Sequence, residues 1–413
     1  MNRSALALLV CVLALAGIQC SRVNSVGAPQ SAPLPAVTPG HGATAATMKR
    51  VLVVPLAFAG HHADLETIRS KYAEFLPRYI RTVSNGRLEV DVTITPWISM
   101  PQPIAEYRLG SFRIREMRET WFRQYRLVTD AAALLDAVHE FRRFDGLFLV
   151  VGADPKDLGR CGYLFRSSTH FHQPRTPTGQ QIPPADVHTW NCPFPSIAYA
   201  LPKMLAGYRD GRSVVPTLYD FDAQSTPGPF GYANQWVGGT ATMQYYSTHV
   251  GPWDILSQHG IRTGEGLRPQ GMTSFTKIRL GWIDEPRIAT VGVGESVRVV
   301  LSPLVHGDGK TLVVRLPIDE SRYYLVENRQ QEGVDRDLPS EGILIMKVDE
   351  RISEGQGPVR VVNAHPDVKY FGAAPFRSGE TFRDEEHGIT VAVLRKDGHD
   401  YAVSIRRERP GGP

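Results

Sequence analysis

Val51 to Phe58 (VLVVPLAF) is an unbroken apolar run in which no residue carries a charge. A strand of that kind has no face to offer to water, so structure must cover it on both sides. The segments that follow supply the cover. Asp64 is placed to cap a helix running to about Thr82, and Ser84-Asn85-Gly86 then breaks it. Leu88 to Ile98 (LEVDVTITPWI) alternates apolar and polar residues, the period-two signature of a half-buried strand. A second helix is expected over Asp130 to Phe144, leading through Asp145-Gly146 into a buried strand, Leu147 to Val151. Strand, helix, strand, helix, strand predicts an α+β arrangement, a mixed sheet packed with helices.

The chain opens differently. Arg3 precedes an uncharged run from Ala5 to Gly17, the pattern of a signal peptide (residues 1–20) and shorter than the roughly 20 residues of a membrane-spanning helix. The expectation is a secreted or periplasmic protein with no transmembrane segment in the mature chain. The alternative is lipid anchoring through Cys20. Residues 21–48 are rich in Ala, Pro, Gly, Ser and Thr and read as a flexible linker. Net charge is only +4, with basic and acidic residues interspersed, and nothing in it asks for nucleic acid. The densest basic stretch, Arg113 to Arg126, also carries Glu116 and Glu119 and reads as a solvated helix with one buried face.

From Gly152 to about Ser196 the chain has little periodicity and reads as a long surface loop. Cys161 and Cys192 are an even pair in an oxidising compartment and are expected to form a disulfide across it, stabilising the fold by roughly 3–4 kcal/mol. Ser196 to Tyr208 (SIAYALPKMLAGY) reads as a helix with Pro202 unexpected in its interior. Beyond Asp284 short strand-like segments alternate with Gly, Asp and Pro turns: Val297–Leu301, Thr311–Leu316, Tyr323–Glu327, Gly342–Val348, Thr390–Leu394 and Tyr401–Ile405. They predict a β-sandwich-like module over 285–407, behind a larger domain over 49–284.

Three segments carry more specific information. His249 to Gly260 (HVGPWDILSQHG), Thr273 to Asp284 (TSFTKIRLGWID) and Tyr323 to Glu350 contain Gly-x-Trp-Asp, Lys-x-x-x-Gly-Trp, and Glu-Asn-Arg followed by Asp, Leu-Pro and a Gly-led strand. In that order they resemble signatures of the immune-inhibitor-A family of secreted bacterial zinc metallopeptidases, over about Lys49 to Arg406. The resemblance implies a zincin-type domain with a helix bearing His-Glu-x-x-His. There, histidines four apart hold one zinc and the glutamate activates its water.

The stretch matching that helix runs from Ala200 to Asp210, followed by Leu218-Tyr219-Asp220. Gly207, Asp210, Tyr219 and Asp220 fit the pattern. Ala200 and Met204 replace both histidines, Leu201 replaces the glutamate, and Leu256 stands where the family places a methionine beneath the metal. Alanine has no donor atom, leucine moves no proton, and a thioether is a soft ligand unsuited to replace imidazole on zinc. The only literal His-Glu elsewhere, His139-Glu140, lacks the second histidine and reads as a polar pair continuing a helix. No nucleophile elbow, phosphate loop or Rossmann fingerprint is present.

The resemblance therefore implies a catalytically inactive peptidase fold that binds a peptide, a protein partner or a surface. The alternative is an active secreted metalloendopeptidase with a metal site rebuilt from His170, His172, His188, His249 or His259 with Asp210 or Asp220. A structural calcium on Asp220 and Asp222 is a third expectation, with Asp210 a further candidate metal ligand, and Glu327, Asn328 and Arg329 are expected to brace the junction of the two domains.

Overall fold

The computed structural model describes residues 46–58, 64–108, 117–153, 164–166, 174–218, 220 and 249–409, with the backbone alone for 117–124 and 164–166. The expected signal peptide and Cys20 lie outside the described residues, as does nearly all of the expected linker. Its last two residues, Thr47 and Met48, instead begin the first strand.

β1 (Thr47–Ala57) is buried from Val51 through Leu56. It is followed by α1 (Leu65–Arg69), whose first amides are capped by the Asp64 carboxylate accepting from Glu66 N at 3.0 Å and Thr67 N at 3.1 Å. The helical path continues through a π-helical section, Ser70–Phe75, into α2 (Leu76–Val83). β2 (Leu88–Ile94) and the short β3 (Ile98–Ser99) both pair parallel with β1.

The helix expected over Asp130–Phe144 begins and ends earlier, as α3 (Met117–Leu135). His139 and Glu140 therefore lie beyond the helix. Glu140 instead meets Arg143 at 2.9 Å at the start of a single 3-10 turn.

β4 (Gly146–Val151) is buried along its whole length, as its apolar sequence requires. β5 (Leu164–Arg166) and β6 (Ala185–Thr189) complete the sheet, in the order β2-β1-β4-β6-β5, antiparallel only at β5. The surface-loop reading of Gly152–Ser196 is corrected here. β6 is an inner strand with all five residues buried, although its sequence, ADVHT, has no apolar run. α4 (Phe194–Ala206) packs on one face of this sheet, with Ile197, Ala198 and Leu201 in the same core as Val51, Val53, Phe148 and Val150. The other face is covered by Leu127, Val128 and Ala131 of α3.

Two small hairpins follow, β7 (Tyr208–Arg209) with β8 (Arg212–Ser213), and β9 (Ile261–Thr263) with β10 (Gly266–Arg268), then a short helix, α5 (Ser274–Arg279). The remaining strands are β11 (Ile288–Thr290), β12 (Ser296–Leu301), β13 (Val313–Pro317), β14 (Arg322–Arg329), β15 (Gly342–Asp349), β16 (Val359–Val361), β17 (Thr381–Asp384), β18 (Ile389–Asp397) and β19 (Asp400–Arg407). They form a five-stranded sheet, β11-β13-β14-β15-β16, and a four-stranded sheet, β12-β19-β18-β17. Val314, Val326 and Ile345 of the first share a core with Val391, Val403 and Ile405 of the second. The opposite face of the five-stranded sheet contributes Val313, Leu325 and Leu344 to the core that also holds α2 and α4.

Arg329 fixes that contact. Its side chain is fully buried, and Nη1 donates to Trp253 O at 2.7 Å and to Glu327 Oε1 at 3.2 Å, while Nη2 donates to Asp335 Oδ2 at 2.9 Å. Glu327 Oε2 in turn accepts from Ser274 N at the start of α5, and Asp335 Oδ1 from Gly271 N. Gly271 is required there, because a Cβ would fall 2.7 Å from Asp335 Oδ1. Removing one partner of a buried charge network strands the others. Arg329→Ala should therefore lower the unfolding free energy by about 3–5 kcal/mol in urea melts; a loss under about 1 kcal/mol would show the network to be dispensable.

Candidate functional site

α4 carries the stretch that the resemblance matches to a metal-binding helix, and its environment is a packed interior. Pro193 and Pro195 flank its first residue, and Gly207, at φ 65°, ends it. Ala200 and Leu201 are inaccessible to solvent and Met204 nearly so. Met204 fills the space left by the missing side chain of Gly146 at the start of β4, where a Cβ would lie 2.6 Å from Met204 Cε. Leu256 is likewise fully buried in the same core.

The residues around the motif make up a polar cluster that the sequence reading missed. Lys203, one position before Met204, has a fully buried side chain. Its ammonium donates to Val215 O at 3.0 Å and Thr217 Oγ1 at 2.7 Å, and forms an ion pair with Glu354. Glu354 Oε1 also accepts from Thr217 N at 2.9 Å and Oγ1 at 2.8 Å. Tyr199 sets its hydroxyl 3.1 Å from Thr217 Oγ1 and stacks on His259 with ring centroids 4.0 Å apart. Burial, then the Lys203 charge, holds the His259 pKa well below the ordinary imidazole value.

Glu354 belongs to the connection between β15 and β16, and that connection carries a second contact. Gln356 bridges to Asp220, whose Oδ2 lies 2.8 Å from His249 Nε2. Gly357, at φ +72°, brings the backbone so close that a Cβ would meet His249 Cδ2 at 2.4 Å. Desolvation lowers the His249 pKa against the opposing hydrogen bond to Asp220. Among the described residues no hydroxyl or thiol is hydrogen-bonded to His249.

The other candidates are dispersed. Asp210 and Gly211 form the turn between β7 and β8, with φ 51° and 74°, the conformation of a type I′ hairpin, and Asp210 is exposed. Asp210 is a turn residue and Asp220 is engaged by His249; Asp222, like His170, His172, Tyr219 and Cys161, lies outside the described residues. Cys192 is a buried thiol, burial pushes its pKa up to about 12, and Cys161, its expected disulfide partner, lies outside the described residues.

His188 belongs to a separate buried group on β6. Its Nδ1 lies 2.6 Å from the Tyr72 hydroxyl, which the π-helical section presents to it. Its Nε2 has no hydrogen-bond partner among the described residues. Lys71, next in sequence to Tyr72, donates to Trp190 O at 3.1 Å and Cys192 O at 2.9 Å.

One set of described side chains is close enough to share a cation, Asp384, Glu386 and His387, within 4.8 Å of one another in the turn between β17 and β18. Asp384 Oδ2 there already accepts from the Tyr324 hydroxyl at 2.7 Å and meets His387 Nδ1 at 2.9 Å.

A zinc ion does not fit the α4 positions. A methyl and an iso-butyl group offer no donor, the Met204 thioether is spent on packing, and an ammonium at the intervening position repels a cation.

No family model matches this chain, and no curated protein does. Among solved structures, metalloproteinase-II from Bacteroides fragilis is similar over 49% of this chain and 50% of its own, at 11% identity and a TM-score of 0.23. The match thus spans half the length of that protein, and at that TM-score the likeness carries no argument. No helix among the described residues is long and apolar enough to cross a membrane.

Two outcomes test this site. Lys203→Met should cost about 3 kcal/mol by leaving Glu354 without its partner, and adding Glu354→Gln should return part of that loss in a double-mutant cycle; additive losses would argue against the pairing. His188 is held neutral, its pKa lowered to about 3 by burial and then by Lys71, against about 6.5 in an unfolded chain. Below pH 6.5 the unfolded chain takes up a proton that the folded one refuses, so stability falls with pH down to about 3. The contribution of this residue is about 1.4 kcal/mol per pH unit. Urea midpoints between pH 7 and pH 4 should fall less steeply in His188→Gln than in the parent, and equal slopes would refute the assignment.

Proposed function

We propose that this chain is an exported protein related to the immune-inhibitor-A-type metallopeptidases that does not hydrolyse peptides and acts by binding a peptide or protein partner. The buried ammonium of Lys203 carries this reading. It occupies the helix between the two positions where zinc-binding histidines belong, and the fold satisfies it with Thr217, Val215 and Glu354. A charge of that sign, neutralised from the opposite side of the core, belongs to a structural beam and not to a metal centre. The apolar burial of Ala200, Leu201 and Met204 supports the same conclusion.

In this reading the first sheet with α1 to α4 is the peptidase-like domain, and the two sheets from β11 to β19 are its sandwich-like module. Function would reside in surfaces that the fold presents, since a fold by itself specifies no chemistry. The alternative of a rebuilt metal site draws little support from the described histidines. His188 pairs with Tyr72, His249 with Asp220 and His259 with Tyr199, each in its own setting.

Zinc measured by mass spectrometry in the purified protein, after dialysis against a weak chelator, should be far below one ion per chain. Chelator-sensitive hydrolysis of unfolded casein should be absent. Near-stoichiometric zinc in the folded protein would overturn the proposal.

A further inference from the structure

A cleft of about 360 Å3 opens where the first residues of β1 and β2 meet the end of α4 and the turn after α5. It falls within the size range of small-molecule sites, roughly 300–1,000 Å3. Lys49, Arg87, Arg209 and Arg279 line it together with Leu205 and Trp282, and among the described residues no acidic one is part of the lining.

Three of the four cations have partners of their own. Lys49 Nζ is 2.7 Å from Asp145 Oδ1, and Arg87 donates through both terminal nitrogens to Asp284. Arg279 donates from Nε to Val214 O at 2.9 Å, lies over the Phe275 ring at 5.1 Å, and reaches Glu350 with Nη1 at only 3.4 Å. Arg209, exposed on β7, makes no side-chain hydrogen bond or ion pair with the described residues. Four cations against three carboxylates leave one positive charge, located on guanidinium groups beside an indole and a leucine side chain. A planar guanidinium matches a carboxylate in two parallel hydrogen bonds, and the apolar wall suits an aromatic or aliphatic body.

We propose that this cleft binds an organic carboxylate with an apolar body, its head on Arg209 and Arg279 and its body against Trp282 and Leu205. The proposal is independent of whether the α4 site hydrolyses peptides. The same chemistry occurs in a free acid and in the C-terminal residue of a peptide.

Isothermal titration calorimetry on the purified full-length protein separates these sources. The probes are 4-phenylbutyrate and its neutral amide, and an N-acetylated tripeptide ending in phenylalanine with its C-terminus free or amidated. The carboxylate of at least one pair should bind, with its amide at least tenfold weaker, and Arg209→Gln should weaken it at least fivefold with an unchanged melting temperature. The tighter of the two carboxylates identifies the source. Absence of binding by both carboxylates at millimolar concentration, equal binding of acid and amide, or binding untouched by Arg209→Gln would each overturn the proposal. Arg209 is exposed and makes no side-chain hydrogen bond or ion pair with the described residues, so its substitution leaves the fold intact, and Arg279→Lys provides a second variant that keeps the charge while removing the planar fork.

Discussion

The buried guanidinium of Arg329 holds together segments that the chain delivers from far apart. One side chain reaches the carbonyl of Trp253, the carboxylate of Glu327 on its own strand, and that of Asp335 in the turn beyond it. Through those carboxylates it governs the backbone at Gly271 and Ser274. Asp254, adjacent to Trp253, extends the same arrangement by accepting from Leu256 N, Thr273 N and the hydroxyls of Thr273 and Thr276. A charge taken out of water is tolerable only when its partners are fixed before it arrives. The path of the chain from Trp253 to α5 is therefore as strictly specified as β14 itself.

Lys203 repeats the tactic on a smaller scale. It converts the interior of α4, a helix with Pro202 in its middle, into a fixed element anchored to the segment after β8 and to the connection beyond β15. The two buried cations differ in what surrounds them. Arg329 has two carboxylates and a carbonyl, whereas Lys203 combines one carboxylate with a carbonyl and a hydroxyl. Each lies at a place where the strand-rich C-terminal part meets the helices.

Much of the fold was legible because its signals are local. β1 and β4 are apolar runs, α1 begins at an Asp with its carboxylate free to cap, and most of the strands beyond Asp284 follow the turn residues between them. β6 was not legible, since its Asp186 and His188 point inward and only a partner such as Tyr72, 116 residues earlier, makes that acceptable. The early end of α3 escaped for a different reason: His139 and Glu140 continue a helical pattern that the chain abandons at Leu135. In the site, the substitutions at Ala200, Leu201 and Met204 could be read directly, and their burial agrees with an apolar repacking. The role of Lys203 could not, because lysine is an ordinary surface residue until Glu354, 151 residues later, is brought to it. Asp210 sits in the turn between β7 and β8, a place that Asp-Gly itself signals in sequence.

The close fit of Met204 against Gly146 also limits what that position can hold. A flexible, unbranched side chain fills a slot that exists because a neighbouring strand has no Cβ. An imidazole in that place would be a stiff ring in a thioether's mould, next to an ammonium whose carboxylate and hydroxyl partners are already committed. Any such exchange would lose packing or leave a charge unanswered, so the arrangement holds this helix to its part in the architecture.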